Sequence, residues 1–278
     1  MTAALDLEAE YNNRQRVPEH VEIIPRWLAQ SLRTRDQLSP YKELAYGGGE
    51  RHRYDLFATG RRGHSTPLVV YIHGGYWQRG DRKEYSFVAR ELVAQGCDVA
   101  LPSYTLAPAA SIGAMLDELK LCLAALWRTT GRRPVVVGHS AGGHLAAALL
   151  ATDWSKVPGV PDDLVRAAYS ISGVFDLEPL IPTSLNAALK LDAASARAMS
   201  PLFWAPPPKD RWLIAAVGGN ESREFLRQSL AIAGAWSAAG VKAECVVVPG
   251  TNHFTIVDAL TDPDSPMLAR ILELARRG

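Results

Sequence analysis

Cysteine is scarce in this 278-residue chain, and its three examples, Cys97, Cys122 and Cys245, are scattered and odd in number. Their spacing fits neither a disulfide framework nor a zinc site, so reduced thiols and no metal are expected. Also lacking is any apolar run near the roughly 18 residues that span a bilayer. The N-terminus, MTAALDLEAEYNNRQRVPEH, carries acidic residues where a secretory signal would be positive. A cytoplasmic protein with no membrane partner is the expectation. Charge of one sign is missing too: 30 basic against 29 acidic side chains leave a net +1. That balance gives no electrostatic footprint for nucleic acid, and a small, roughly neutral substrate fits better. No internal repeat or low-complexity tract is present.

What the chain does have is apolar mass, 47% of its residues, enough for one large core in a single domain spanning residues 1–278. The first 40 residues read as a partly exposed helical extension, with Ile24, Trp27, Leu28 and Leu32 at helical spacing. YKELAY (41–46) and HRYDLFA (52–58), joined by a triple glycine, predict a β-hairpin. From Pro67 the apolar strands LVVYI, DVALPSY, PVVVG, AAYSIS, WLIAAV and AECVVVP alternate with helical stretches near 82–95, 111–130, 141–152, 222–240 and 264–277. Short, nearly continuous apolar strands between amphipathic helices predict an α/β fold, a mostly parallel sheet covered on both faces. Residues 173–205, ending in the proline-rich LFWAPPPKDRW region, read as a small cap inserted over the strand ends.

Chemistry enters where PVVV meets GHSAGGHLAAALL. Gly138, His139, Ser140, Ala141 and Gly142 spell G-x-S-x-G between an apolar strand and an alanine-rich helix. This is the setting of a nucleophile elbow, in which serine takes a strained turn and the glycines prevent collisions. A serine hydroxyl needs a base, and the chain order for such an elbow is Ser, acid, His. Only His144 and His253 follow Ser140. His144 lies one turn into the elbow helix and suits packing, whereas His253, in VVVPGTNHF just past the last strand, suits the base. Between them, the loop after WLIAAVGG offers Asn220, Glu221 and Glu224; Glu221 is the first candidate acid, and Asp176 in SGVFDLEP the second.

Attack on a carbonyl creates an oxyanion, and each preorganised donor to it is worth about 3 kcal/mol. One donor is expected from the N–H of Ala141. The others are expected from HGGYW, a variant of the HGGG-type loop, through Gly74, Gly75 and Tyr76. Tyr76, Trp77, Phe175 and Phe254 flank these groups in sequence and are candidates for an aromatic substrate pocket.

HGGYWQ (73–78), SYTLAP (103–108), GHSAGGHLAA (138–147), SGVFDLEPL (172–180) and NESREFLRQS (220–229) together resemble the kynurenine formamidase, or arylformamidase, family of the α/β-hydrolase superfamily. The resemblance runs from about residue 67 to the end, leaving YNNRQRVPEH outside it. It implies an eight-stranded twisted sheet and hydrolysis of N-formylkynurenine to kynurenine and formate by a Ser, Asp, His triad without cofactor or metal. Carried over, the triad falls on Ser140, Glu221 and His253, with glutamate where the family usually has aspartate. A carboxylesterase or thioesterase would share this machinery. A non-catalytic hydrolase-fold binding protein would lack a triad member. The expected partner is a small aryl amide or ester, and a homodimer is left open.

Overall fold

The computed structural model describes residues 5–60 and 66–277; residues 1–4 of the expected extension lie outside the described residues. Three helices come first, α1 (Leu7–Tyr11), α2 (Asn13–Arg16) and α3 (His20–Gln37). Asn12 closes α1 and opens α2, its side chain accepting from the Gln15 N–H. The strands β1 (Lys42–Ala45) and β2 (Arg53–Phe57) form the expected antiparallel hairpin. Then follow β3 (Leu68–Ile72), α4 (Ala89–Ala94), β4 (Asp98–Pro102), α5 (Ile112–Thr130), β5 (Pro134–His139), α6 (Ala141–Leu150) and β6 (Ala167–Ile171). Two short helices, α7 (Asn186–Leu189) and α8 (Ala193–Ala198), lie in the segment read as a cap. The chain continues through β7 (Trp212–Gly218), α9 (Arg223–Ala238), β8 (Lys242–Val248) and α10 (Pro266–Ala275).

The eight strands form one sheet in the order β1-β2-β4-β3-β5-β6-β7-β8. β2 pairs with β1 and β4 antiparallel, and every pairing from β4 to β8 is parallel. Strand side chains alternate between two apolar layers. Leu68, Val70 and Ile72 join the layer that contains residues of α5, α6 and α9. Val69 and Tyr71 join the layer that holds residues of α3, α4 and α10. Burial on both sides explains why these strands read as apolar runs rather than as alternating patterns. Local signals set the helix ends: Ser111 caps the start of α5, Ser222 that of α9 and Ser265 that of α10, and Gly131 ends α5 in the left-handed conformation.

Two elements differ from the sequence pattern. The helical stretch expected at 82–95 is a tighter 3-10 turn over Arg82–Val88 before α4 begins. Its first turn is tied inward, because the buried Arg82 reaches Asp55 at 3.1 Å and Glu43 at 2.6 Å. In α3 the buried face is Ile23, Trp27, Ser31 and Thr34, while Leu32 is 70% exposed. Polar anchors select that face: Trp27 Nε1 donates to Asp258, Ser31 Oγ to the Glu84 carbonyl, and Arg35 to Asp55. No helix among the described residues is long and apolar enough to cross a membrane.

Candidate active site

β5 delivers Ser140 at its C-terminal end, in the turn that starts α6, with φ 57° and ψ −118°. A non-glycine residue is strained there, and only close packing holds it. The packing is close enough to require glycine on either side. A Cβ on Gly138 would lie 2.1 Å from the Gly142 carbonyl oxygen, and one on Gly142 would lie 2.0 Å from the Ile72 carbonyl oxygen. The pentad thus brings α6 against β3 and β5, with Ser140 at the apex.

His253 follows β8, in a loop fixed by the Asn252 side chain, which accepts from the N–H groups of Phe254 and Thr255 at 2.9 Å. Its Nε2 lies 3.0 Å from Ser140 Oγ, and its Nδ1 2.7 Å from Glu221 Oε2. The other oxygen of Glu221 accepts from Ser172 Oγ at 2.5 Å and from the Gly218 N–H at 2.7 Å. Those two donors fix the carboxylate, and the carboxylate in turn holds a proton on Nδ1, which leaves Nε2 free to accept from the serine. All three side chains are buried. Asp176, the second candidate acid, is instead 3.5 Å from Arg227, and its backbone is held by Gln228.

Two further histidines of the elbow segment bond to backbone carbonyls instead. His139 Nε2 donates to the His253 carbonyl, and burial beside the His253 ring holds its pKa well below the ordinary histidine range. His144 bonds to the Met199 carbonyl, and burial lowers its pKa to about 4, in keeping with the packing role expected for it.

The HGGYW loop stands opposite. Gly75, Tyr76 and Trp77 all have positive φ, at 114°, 52° and 58°. A Cβ on Gly75 would meet the Arg79 carbonyl oxygen at 2.2 Å. Among the described residues, the backbone N–H groups of Gly75, Tyr76 and Ala141 make no hydrogen bond. Unpaired amides, two of them on the cavity wall that also holds Ser140 and His253, can stabilise an oxyanion, and the whole arrangement can perform acyl transfer. Neither Gly74 nor Ala141 is on the cavity wall itself, and a Cβ on Gly74 would lie 2.8 Å from the His139 carbonyl and 3.1 Å from Ser140 Cβ.

Ser140 and His253 open onto a cavity of about 430 Å³. Of the four rings expected to line it, Tyr76 and Phe254 do. Trp77 and Phe175 do not: both are fully buried, Trp77 with its ring edge on His144 and Phe175 against Gly173. Their positions beside the catalytic motifs are close in sequence, but the backbone turns them into the core. The wall is completed by residues the motifs did not indicate, chiefly from the N-terminal extension: Asn12, Asn13, Arg14, Ile24, Trp27 and Leu28. Asn13 Nδ2 donates to the Tyr76 hydroxyl at 2.8 Å, and that hydroxyl donates to the Tyr11 carbonyl. Tyr11 is itself tied to Glu224 at 2.7 Å and to Gln228 at 2.8 Å. The signal that could have exposed this segment is the Asn12-Asn13 pair, poor helix formers placed between two helical turns. No group of three or more His, Cys, Asp or Glu side chains among the described residues is arranged as a metal site.

A family model described as alpha/beta hydrolase fold matches residues 69–257. The chain is 33% identical to kynurenine formamidase of Salmo salar over 238 residues, 83% of this chain and 80% of that protein. It is 31% identical to kynurenine formamidase of Danio rerio over 246 residues, 86% of this chain and 83% of that protein. Coverage on that scale takes in residues upstream of 67, beyond the stretch that carries the recognisable motifs. Among solved structures, a candidate thioesterase of Silicibacter sp. TM1040 superposes with a TM-score of 0.86 at 32% identity, covering 97% of this chain and all of that one.

Proposed function

The chain belongs to the kynurenine formamidase family of α/β hydrolases, and from that premise we propose that it cleaves N-formylkynurenine to kynurenine and formate through a formyl-serine. The reading rests on one observation above the rest, the continuous hydrogen-bonded chain from Ser140 through His253 to Glu221, on a cavity that also carries the unpaired amides of Gly75 and Tyr76.

Ser140 Oγ attacks the formyl carbon as its proton passes to His253 Nε2. The carbonyl electrons move onto oxygen, and the amides of Gly75, Tyr76 and Ala141 donate hydrogen bonds to that oxyanion. Glu221 stabilises the imidazolium without taking its proton. On collapse of the tetrahedral intermediate the C–N bond breaks, and His253 gives its proton to the departing aryl amine. Water then attacks the formyl-serine, losing a proton to the same Nε2. Formate leaves as Ser140 recovers its hydrogen. Phe254 and Tyr76 flank the aryl group.

A thioesterase is the second reading, favoured by the likeness to the Silicibacter protein. The test is a side-by-side kcat/KM comparison of N-formylkynurenine, p-nitrophenyl acetate and an aryl thioester, with Ser140→Ala as the inactive control. Preference for the formamide is expected. Weak turnover of it beside strong turnover of the ester or thioester would sink the formamidase reading. A cytoplasmic location accords with three unpaired thiols.

A further inference from the structure

Three charged side chains on the cavity wall take no part in acyl transfer. Arg14 comes from α2, Arg79 from the end of the HGGYW loop, and Glu84 from the 3-10 turn before α4. Nearby arginines are committed: Arg35 pairs with Asp55 at 2.6 Å, Arg51 with Asp81 at 3.4 Å, and Arg82 with Glu43 at 2.6 Å. Among the described residues, neither the Arg14 nor the Arg79 side chain makes a hydrogen bond or an ion pair, and the Glu84 carboxylate makes no ion pair, its one partner being the Asp81 backbone. The groups nevertheless sense one another. Burial and then the Arg79 charge lower the Arg14 pKa, while burial and then Asp81 raise that of Glu84. The two neighbouring guanidiniums repel, Glu84 offsets that only in part at Arg14, and an arriving carboxylate would relieve both in a fork geometry.

On the same wall sits a buried acceptor with no partner. Asn13 lines the same cavity, is 1% exposed, and spends its amide nitrogen on Tyr76; its Oδ1 has no partner among the described residues. A buried acceptor left unpaired is costly, and it is relieved by a ligand that brings a donor. Two cations for a carboxylate, together with a carboxylate and an amide oxygen for an ammonium, describe one chemical group.

We propose that this end of the cavity binds the α-amino-acid headgroup of the substrate, its carboxylate on Arg14 and Arg79 and its ammonium at Glu84 and Asn13 Oδ1. The proposal builds on acyl transfer at Ser140 and assigns this chain's own residues to the amino-acid end of that substrate. It also gives the N-terminal segment a use: the polar run Asn12-Asn13-Arg14 supplies part of the specificity wall.

The test uses two substrate pairs, each with a common scissile bond: N-formylkynurenine with its α-carboxyl methyl ester, and O-acetyl-tyrosine with p-tolyl acetate. The wild-type chain is expected to favour the amino-acid member of each pair at least tenfold in kcat/KM, mainly through KM. Arg14→Gln and Arg79→Gln are each expected to reduce that preference by about tenfold, the worth of one charged hydrogen bond. Arg79→Lys should recover part of it. Equal rates within both pairs, or a preference that survives both glutamine variants in folded protein, would overturn the subsite. If neither formamide is cleaved but O-acetyl-tyrosine still outruns p-tolyl acetate, the subsite stands and the formamidase reading falls. If both formamides are cleaved equally, the reading stands and the subsite falls.

Discussion

Replacing Glu221 by glutamine separates the chemistry of the triad from its architecture. In the native site Oε1 is held by two donors, Ser172 Oγ and the Gly218 N–H, whereas Oε2, among the described residues, meets His253 Nδ1 alone. The glutamine carbonyl oxygen will keep the two donors, so its NH2 must face Nδ1. Donor then meets donor unless the imidazole proton moves to Nε2, and a protonated Nε2 cannot accept from Ser140 at 3.0 Å. Folding should change little, while kcat falls by about 10⁴, the effect of the wrong tautomer in a serine triad, or roughly 5 kcal/mol of transition-state stabilisation. Glu221→Ala should add a stability defect, because it orphans two buried donors at about 1–3 kcal/mol each. Asp176→Asn removes only a 3.5 Å ion pair to the 41%-exposed Arg227, worth at most about 1 kcal/mol. Its kcat should stay within about threefold of wild type. The assay is kcat/KM on an aryl formamide or acetate beside thermal melting of each variant. If Glu221→Gln keeps activity within tenfold of wild type, or if Asp176→Asn loses more than it does, the assignment of the acid is refuted.

Gly142→Ala should fail by packing alone: a Cβ 2.0 Å from the Ile72 carbonyl requires β3 or α6 to move, costing about 3 kcal/mol. A melting temperature equal to wild type would contradict this. Tyr76→Phe removes the hydroxyl shared by Asn13 and the Tyr11 carbonyl. It should lower kcat by about tenfold, the worth of one hydrogen bond, with a smaller effect on KM; unchanged kcat would detach the N-terminal clamp from the oxyanion loop. Stability should also fall in acid. Burial holds His73 and His144 near pKa 4, below the 6.5 of an exposed imidazole. Below pH 6.5 the unfolded chain therefore binds protons that the folded chain refuses, and stability declines as pH drops toward 4. At pH 5 the loss should be on the order of 2 kcal/mol per histidine, read as a lower denaturant midpoint than at pH 7.5; coincident midpoints would contradict the buried neutral state.

By itself the sequence determined the elements whose signals are local. The alternation of apolar strands and helices specified a parallel sheet because strands buried on both faces must be apolar throughout. The G-x-S-x-G pentad specified the elbow because the Ile72 and Gly142 carbonyls leave no room for a Cβ. Chain order narrowed the base to a histidine past the last strand, since strand ends of a parallel sheet gather at one edge. Other questions needed the tertiary structure, because they concern which way a side chain turns and what it meets far along the chain. Glu221 and Asp176 both follow strands, and only the packing of the loop after β8 shows which carboxylate His253 meets. Trp77, Phe175 and Phe254 are equally aromatic, yet positive φ and core contacts direct the first two inward and leave Phe254 on the cavity. Helical periodicity in the first 40 residues could not show that Asn13 meets Tyr76 across 63 positions, or Tyr11 meets Glu224 across 213. Such contacts leave no local period in the sequence, so the wall they build became visible only when the chain was folded.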